Sequence, residues 1–217
     1  MGAEPGIHLA EEHEPHPPAY LRLLGTFRVL LPTSYLVLTA LAPYLPTALG
    51  RLGVQQEWRP VLGATWTAGR LLTFGLMERW HGWHGRWWPA VVAVALLLGG
   101  FAAAVLSPLL GPGPAGLAAM LGGLAAFGLG MAAIYTGSLY YAMECERDDV
   151  EAGSRHETLI GVGYSGGPAC GLVAGMTVQA GLIQSGSREV LVLGLVGAIA
   201  LGVVSAAGWR VVRRNGP

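Results

Sequence analysis

Long apolar runs separated by short polar connectors dominate the chain after residue 18. Six of these runs are long enough to cross a bilayer as helices, because each crossing needs about 20 residues. They lie approximately at residues 24–49, 59–79, 87–110, 115–143, 157–183 and 189–211. The pattern predicts an all-α polytopic membrane protein in which residues 19–217 form a domain of six transmembrane helices.

The first 18 residues have the opposite character. They contain four glutamates, three histidines and several prolines, and they lack a long apolar run. Such a segment buries too little apolar surface to offset the entropy that folding costs. We therefore predict a disordered tail over residues 1–18.

Composition supports a membrane protein and narrows its partners. Hydrophobic residues make up 53% of the 217 residues and charged residues only 12%, about half the charge of a soluble domain. The net charge is zero, so nothing points to a nucleic-acid partner. The two cysteines show no metal-binding or disulfide spacing, and no phosphate-binding loop of the Walker type is present. We predict no cofactor and no metal.

Arginines at the ends of the predicted helices indicate the orientation, because cytoplasmic connectors carry an excess of positive charge. With the N-terminus inside, nine arginines lie on the cytoplasmic side and three lie outside. The inner ones are Arg22, Arg28, Arg79, Arg86, Arg147, Arg155, Arg210, Arg213 and Arg214, and the outer ones are Arg51, Arg59 and Arg188. Both termini are expected in the cytoplasm, and the membrane is expected to be the cytoplasmic (inner) membrane.

Arg70 is the only charged residue deep within a predicted span. A charge at mid-membrane costs a few kcal/mol on insertion scales, so it should face a bundle interior or a wet cavity. It contacts either an anionic substrate or a switchable partner, or it is a structural arginine bonded to backbone carbonyls. Tyr135, Tyr164 and Gln179 are polar candidates for the same pathway, although tyrosines in such helices are commonly just packed and hydrogen-bonded.

The fifth predicted helix carries a stripe of glycines at four-residue spacing, Gly163, Gly167, Gly171 and Gly175. Small residues on one face allow helices to pack closely in lipid, which supplies no hydrophobic drive for association. Pro168 removes a backbone hydrogen bond and is expected to bend the helix. Glu157 either caps the start of this helix or closes the cytoplasmic side in an ion pair, with Arg79 or Arg86 as partner.

Two hypotheses of enzyme activity have little support in the sequence. Gly163 to Gly166 read GYSG, as in intramembrane serine proteases, but no histidine follows Ser165 in the sequence to activate it. The charge-rich connector 144–156 is the only other segment that offers clustered catalytic groups, and it has the character of a solvated loop. We expect no enzyme activity.

Several motifs resemble those of the major facilitator superfamily. Gly163, Gly167, Pro168 and Gly171 match its fifth-helix motif GxxxGPxxGG, with Leu172 in place of the last glycine. A second likeness lies after the second helix, where Gly75, Glu78, Arg79, Gly85 and Arg86 form a degenerate version of its GxxxDRxGRR loop. The helix segment GLGMAAIYTGSLYYAME has the same look, and the likeness extends over roughly residues 20–212.

The resemblance implies a fold and a function. Members of that family usually contain two six-helix halves around a central cavity, and this chain would supply one, with its degenerate loop favouring the C-terminal half. It would transport a small solute by alternating access, as a homodimer or with a second six-helix half. A non-transporting scaffold or remnant on the same fold is the alternative.

Overall fold

The computed structural model describes residues 18–146, 148–182, 184 and 188–215, with side chains as far as residue 209. Most of these residues are in helices, and no strand occurs among them. The helices are α1 (Pro18–Arg51), α2 (Arg59–Gly63), α3 (Thr65–Arg79), α4 (Trp88–Leu106), α5 (Pro114–Cys145), α6 (Asp149–Gln179) and α7 (Arg188–Asn215). Short 3-10 turns at Gln56–Trp58 and Ser107–Leu110 precede α2 and extend α4. The predicted tail falls outside the described residues, apart from Pro18, which begins α1.

Five of these helices are long and apolar enough to cross a membrane: α1, α4 with its extension to Leu110, α5, α6 and α7 as far as Trp209. Their most apolar windows have mean hydropathies between 1.2 and 2.5. They correspond to five of the six runs predicted from the sequence. The all-helical prediction is confirmed, and the five helices indicate an integral membrane protein.

The run at 59–79 is not a single helix. It divides at Ala64 into α2, of 5 residues, and α3, of 15 residues. An α3 of this length extends only about 22 Å, less than the hydrocarbon core of roughly 30 Å. Pro60 lies at the start of α2, and the hydroxyl of Thr65 donates to the carbonyl of Leu62 across the break. This pair of short helices is therefore not among the five candidate spans.

The start of α6 also differs from the prediction. The helix begins at Asp149, inside the segment predicted as a solvated connector. Asp148 caps it, because its side chain accepts hydrogen bonds from the backbone N–H groups of Val150 and Glu151, at 2.8 and 3.3 Å. Glu157 consequently lies in the third turn of the helix and does not cap its N-terminus.

Two helices, α1 and α5, form the centre of the fold. Helix α1 packs on α6 and α7, α5 packs on α3 and α4, and the two central helices contact each other. Their shared core includes Phe27 and Leu31 of α1 with Leu124, Phe127 and Met131 of α5, all almost fully buried. By contrast, only 17% of the most apolar window of α7 is buried, against 61% for α1.

Close backbone contact holds α4 against α5. A Cβ added to Gly100 of α4 would lie 2.6 Å from the carbonyl oxygen of Gly123, and one added to Gly130 would lie 2.5 Å from that of Ala93. Real Cβ atoms essentially never approach so closely. The two backbones pack at this distance because both positions lack a side chain.

Candidate functional site

Arg70 points into a group of aromatic rings. Trp66, Arg70 and Phe74 are four residues apart on α3, so their side chains lie on one face of the helix. The guanidinium carbon of Arg70 lies 5.4 Å from the ring centroid of Trp66 and 5.6 Å from that of Phe74. It also lies 6.0 Å from the centroid of Tyr135, which comes from α5. Each distance is within the range of a cation–π interaction.

The polar partners of Arg70 are few. Its side chain interacts with the phenol of Tyr35 on α1. Its Nε atom is buried and has no hydrogen-bond partner among the described residues, and none of their carboxylates forms an ion pair with the guanidinium. A buried donor left unsatisfied costs about 1–3 kcal/mol. Cation–π contacts of roughly 0.5–2 kcal/mol compensate for part of that cost. We call Arg70, Trp66, Phe74, Tyr135 and Tyr35 the Arg70 cluster.

Two side chains of α6 border this cluster. The ring centroid of Tyr164 lies 5.0 Å from that of Tyr35, and the ring of His156 stands edge-on to Tyr135 at 4.8 Å. His156 is only 3% exposed, and neither of its ring nitrogens has a hydrogen-bond partner. Tyr164, in contrast, is 50% exposed. The cluster and its border therefore join α1, α3, α5 and α6, and contain two buried polar groups with unmet hydrogen-bonding capacity.

The residues predicted for a substrate pathway do not all lie together. Arg70 and Tyr135 are in direct contact, and Tyr164 reaches them through Tyr35. Gln179 is exposed at the last turn of α6. It lies 15 residues beyond Tyr164, or about 22 Å along the helix axis.

The glycine stripe of α6 has two kinds of surroundings. A Cβ added to Gly163 would lie 2.5 Å from the carbonyl oxygen of Pro32, and one added to Gly167 would lie 2.7 Å from Cβ of Thr39. Both glycines are buried against α1. In the part of the chain that the structure describes, no atom lies within 4 Å of such a Cβ on Gly171, and at Gly175 the contact is the end of the Arg188 side chain at 3.8 Å. Pro168 is exposed within a continuous helix.

The predicted cytoplasmic contact residues Glu78, Arg79, Arg86 and Glu157 are exposed. Ion pairs at this end of the described structure involve other residues. Glu146, which precedes α6, pairs with Arg28 of α1 and with Arg155 of α6, the latter at 2.8 Å. Arg155 also pairs with Glu151. These contacts join α1 to the start of α6 without Glu157.

The loop between α3 and α4 folds onto α5 at the same end. Trp83 is buried and donates to the carbonyl of Met77 at 3.2 Å, while the backbone N–H of Gly85 donates to the hydroxyl of Tyr141 at 2.9 Å. His84 stacks on Tyr140 with 4.2 Å between ring centroids. Burial, assisted by the nearby His81, lowers the pKa of His84, so its imidazole stays neutral further into the acid range.

A cleft of about 390 Å³ lies between this loop and α5, lined in part by Glu78, His81, His84 and Phe74. Phe74 is also a member of the Arg70 cluster. Phe74 therefore connects the cleft, at the end of the bundle that carries the α3–α4 loop, with the Arg70 cluster.

Comparisons of the chain with protein-family models, with curated proteins and with solved structures give no match.

Sequence reasoning did not identify Tyr35, Trp66, Phe74 or His156 as site residues. Trp66 and Phe74 carried a usable signal, because they lie one helical turn on either side of Arg70. Tyr35 and His156 carried none, since their positions next to the cluster depend on how α1 and α6 pack.

Proposed function

We propose that this protein is one six-helix half of a secondary transporter of the major facilitator type, and that it moves a small solute by alternating access. In this proposal α2 and α3 together form one further crossing, the second of six along the chain, which is interrupted at Ala64. The chain lies in the cytoplasmic (inner) membrane with both termini inside, and corresponds to the C-terminal half of the family's fold.

The observation that carries the proposal is the environment of Arg70. A cation among apolar helices is energetically costly, and Arg70 has no paired carboxylate among the described residues. Such costly charges in membrane proteins usually have a function. It lies where α1, α3, α5 and α6 meet, and ligand sites in helical membrane proteins form between helices in this way. We therefore assign Arg70, Tyr135 and Tyr164 to the solute pathway, with Tyr35 added.

The order of helix packing supports the same proposal. The six proposed crossings divide into two groups of three, α1 to α4 and α5 to α7. The first helix of each group packs on the later helices of the other group: α1 on α6 and α7, and α5 on α3 and α4. Nested repeats of three crossings each, as in the halves of these transporters, lead to such an exchange of partners. The glycine contacts of α6 on α1 supply the close packing that a tilting helix pair requires.

A complete transporter needs a second half. Six helices do not enclose a central cavity, and α6 and α7 leave most of their apolar surface uncovered by this chain. We propose that a second copy, or a separate six-helix partner, covers the open side of the Arg70 cluster. A scaffold without transport activity would use the same exposed helices for assembly, and it is the alternative that the experiment must distinguish.

The test combines mass and transport. The protein is purified in nanodiscs, its mass is measured with the lipid subtracted, and the same preparation is reconstituted into vesicles for uptake of a panel of small anionic, neutral and cationic solutes. We expect a dimer or a two-chain complex, with uptake that Arg70→Ala abolishes and Gln179→Ala, at the exposed end of α6, leaves intact. A strict monomer without uptake of any solute contradicts the proposal and favours the scaffold.

A further inference from the structure

Beyond the transport proposal, and resting on it, we infer that the Arg70 cluster binds a small organic monoanion, namely a monocarboxylate with an apolar body. The carboxylate pairs with the guanidinium of Arg70, and the apolar body lies against the surrounding rings.

Charge is the first argument. Every described acidic residue lies near a helix end or in a connector, whereas Arg70 lies near the middle of α3. The cluster therefore carries one positive charge that the described part of the chain does not neutralise. In a medium of low dielectric constant that charge repels cations and attracts a single negative charge. A dianion would bring a second charge into the cluster without a partner, which favours a monoanion.

The shape of the donor group is the second argument. A guanidinium presents its N–H groups as a planar fork that matches the two oxygens of a carboxylate. The Nε atom of Arg70 is buried without an acceptor, and the phenol of Tyr35 lies beside the guanidinium. A bound carboxylate would supply the acceptor that the described residues do not.

His156 gives an independent indication that this region receives a polar ligand. It is 3% exposed, it contacts the same Tyr135 ring that Arg70 contacts, and neither of its ring nitrogens has a hydrogen-bond partner among the described residues. Buried polar atoms in folded proteins almost always have partners. Two unsatisfied polar groups that both contact Tyr135 are therefore typical of a binding site and unusual for a packed core.

The aromatic rings indicate that the body of the ligand, beyond its carboxylate, is apolar. Trp66 and Phe74 offer apolar surface beside the guanidinium on α3, and Tyr135 faces them from α5. A ligand body that is aliphatic or aromatic gains from contact with these rings, at about 25 cal/mol per Å² of apolar surface removed from water. A longer apolar body should therefore bind more tightly than acetate.

The experiment measures ligand-induced shifts of the unfolding temperature for the protein in nanodiscs. Acetate, butyrate and benzoate are the carboxylate probes, while benzamide and benzylamine are matched neutral and cationic probes. We expect benzoate to bind more tightly than butyrate, and butyrate more tightly than acetate. Benzoate should bind about tenfold to a hundredfold more tightly than benzamide, as one charge-assisted contact predicts, and benzylamine should have no effect.

Variants locate the effect. Arg70→Met keeps an unbranched side chain similar to the aliphatic part of arginine and removes the charge, so it should abolish the preference for benzoate over benzamide. Arg70→Lys keeps the charge without the fork and should retain a reduced preference. Gln179→Ala should behave as wild type. If Arg70→Met does not fold, the comparison of benzoate with benzamide on the wild-type protein still tests whether a carboxylate is preferred.

The inference is overturned if no carboxylate shifts the unfolding temperature, if benzamide matches benzoate, or if Arg70→Met keeps the preference. Uptake in vesicles separates it from the transport proposal. Arg70-dependent binding of benzoate without uptake supports the inference and contradicts transport. Uptake of a neutral solute that is unaffected by Arg70→Met supports transport and overturns the inference.

Discussion

The two glycine pairs of α6 have the same spacing and opposite surroundings. Gly163 and Gly167 lie directly against the backbone and side chains of α1, whereas a methyl group on Gly171 would have no atom of the described residues within 4 Å. The first pair also borders the Arg70 cluster, because Tyr35 of α1 lies against Gly163 and interacts with Arg70. A four-residue spacing therefore indicates a face that permits close packing, and the tertiary structure decides which part of that face has a partner.

The largest expected effect is that of Gly167→Leu. Its new side chain would overlap Thr39, whose carbonyl carbon lies 2.9 Å from the position of an added Cβ. Overpacking a filled interface costs about 1–3 kcal/mol or more, so we expect loss of the folded protein or of at least 3 kcal/mol of stability. Unfolding titration in mixed detergent micelles measures it, with Gly171→Leu as the matched control. Equal stability of the two variants would contradict the comparison.

Gly163→Ala should have the next largest effect. An added methyl group would lie 2.6 Å from Cβ of Tyr35, so α6 or Tyr35 must move. We expect a loss of roughly 1–3 kcal/mol in stability together with weaker benzoate binding, since Tyr35 is a member of the Arg70 cluster. The same methyl group at Gly175 is the control and should alter neither quantity. Destabilisation with unchanged benzoate affinity would separate the packing of α6 from the cluster.

Tyr164→Ala should have a smaller effect. It removes a ring contact with Tyr35, which contributes about 0.5–1.5 kcal/mol for a pair of this kind. Because Tyr164 is half exposed, we expect the free energy of unfolding to fall by about this amount at most, and the affinity for benzoate to fall with it. Gln179→Ala, in the last turn of the same helix, is the control. An identical loss in both variants would show that Tyr164 has no particular connection to the cluster.

Gly171→Ala should have the smallest effect. No described atom obstructs the new methyl group, and alanine is favoured over glycine within a helix by up to about 1 kcal/mol. We therefore expect unchanged or slightly increased stability in the same unfolding titration. A marked loss confined to the assembled form would show that a second chain covers Gly171, which would sharpen the comparison by assigning a partner to the open half of the stripe.

Sequence reasoning correctly predicted the five helices that could cross a membrane, because each one coincides with a long apolar run. It did not detect the break at Ala64, because the run at 59–79 is long enough by count and its division depends on local hydrogen bonding around Pro60 and Thr65. It also placed the start of α6 too late. A charged segment resembles a loop, but Asp148 at the N-cap with Asp149 and Glu151 in the first turn makes it a favourable helix start.

For the site, residue chemistry identified Arg70, since a lone charge within an apolar run is conspicuous. Tyr135 and Tyr164 were chosen by residue type and proved to lie near it, and Gln179 was chosen on the same grounds and lies far away. At the end of the bundle where α6 begins, the ion pair considered for Glu157 is absent from the described residues. The described pairs there use Glu146, because the end of α5 brings it between Arg28 and Arg155.

The sequence by itself determined that the chain forms apolar helices, because a bilayer requires long runs whose backbone groups bond within the segment. It also determined that the apolar run at 59–79 carries an isolated positive charge, Arg70. Only the tertiary structure decided which rings surround that charge, which two glycines of α6 contact α1, and where His156 is buried. Those features depend on contacts between helices that are distant in the chain, and no local spacing specifies the partner of a given helix face.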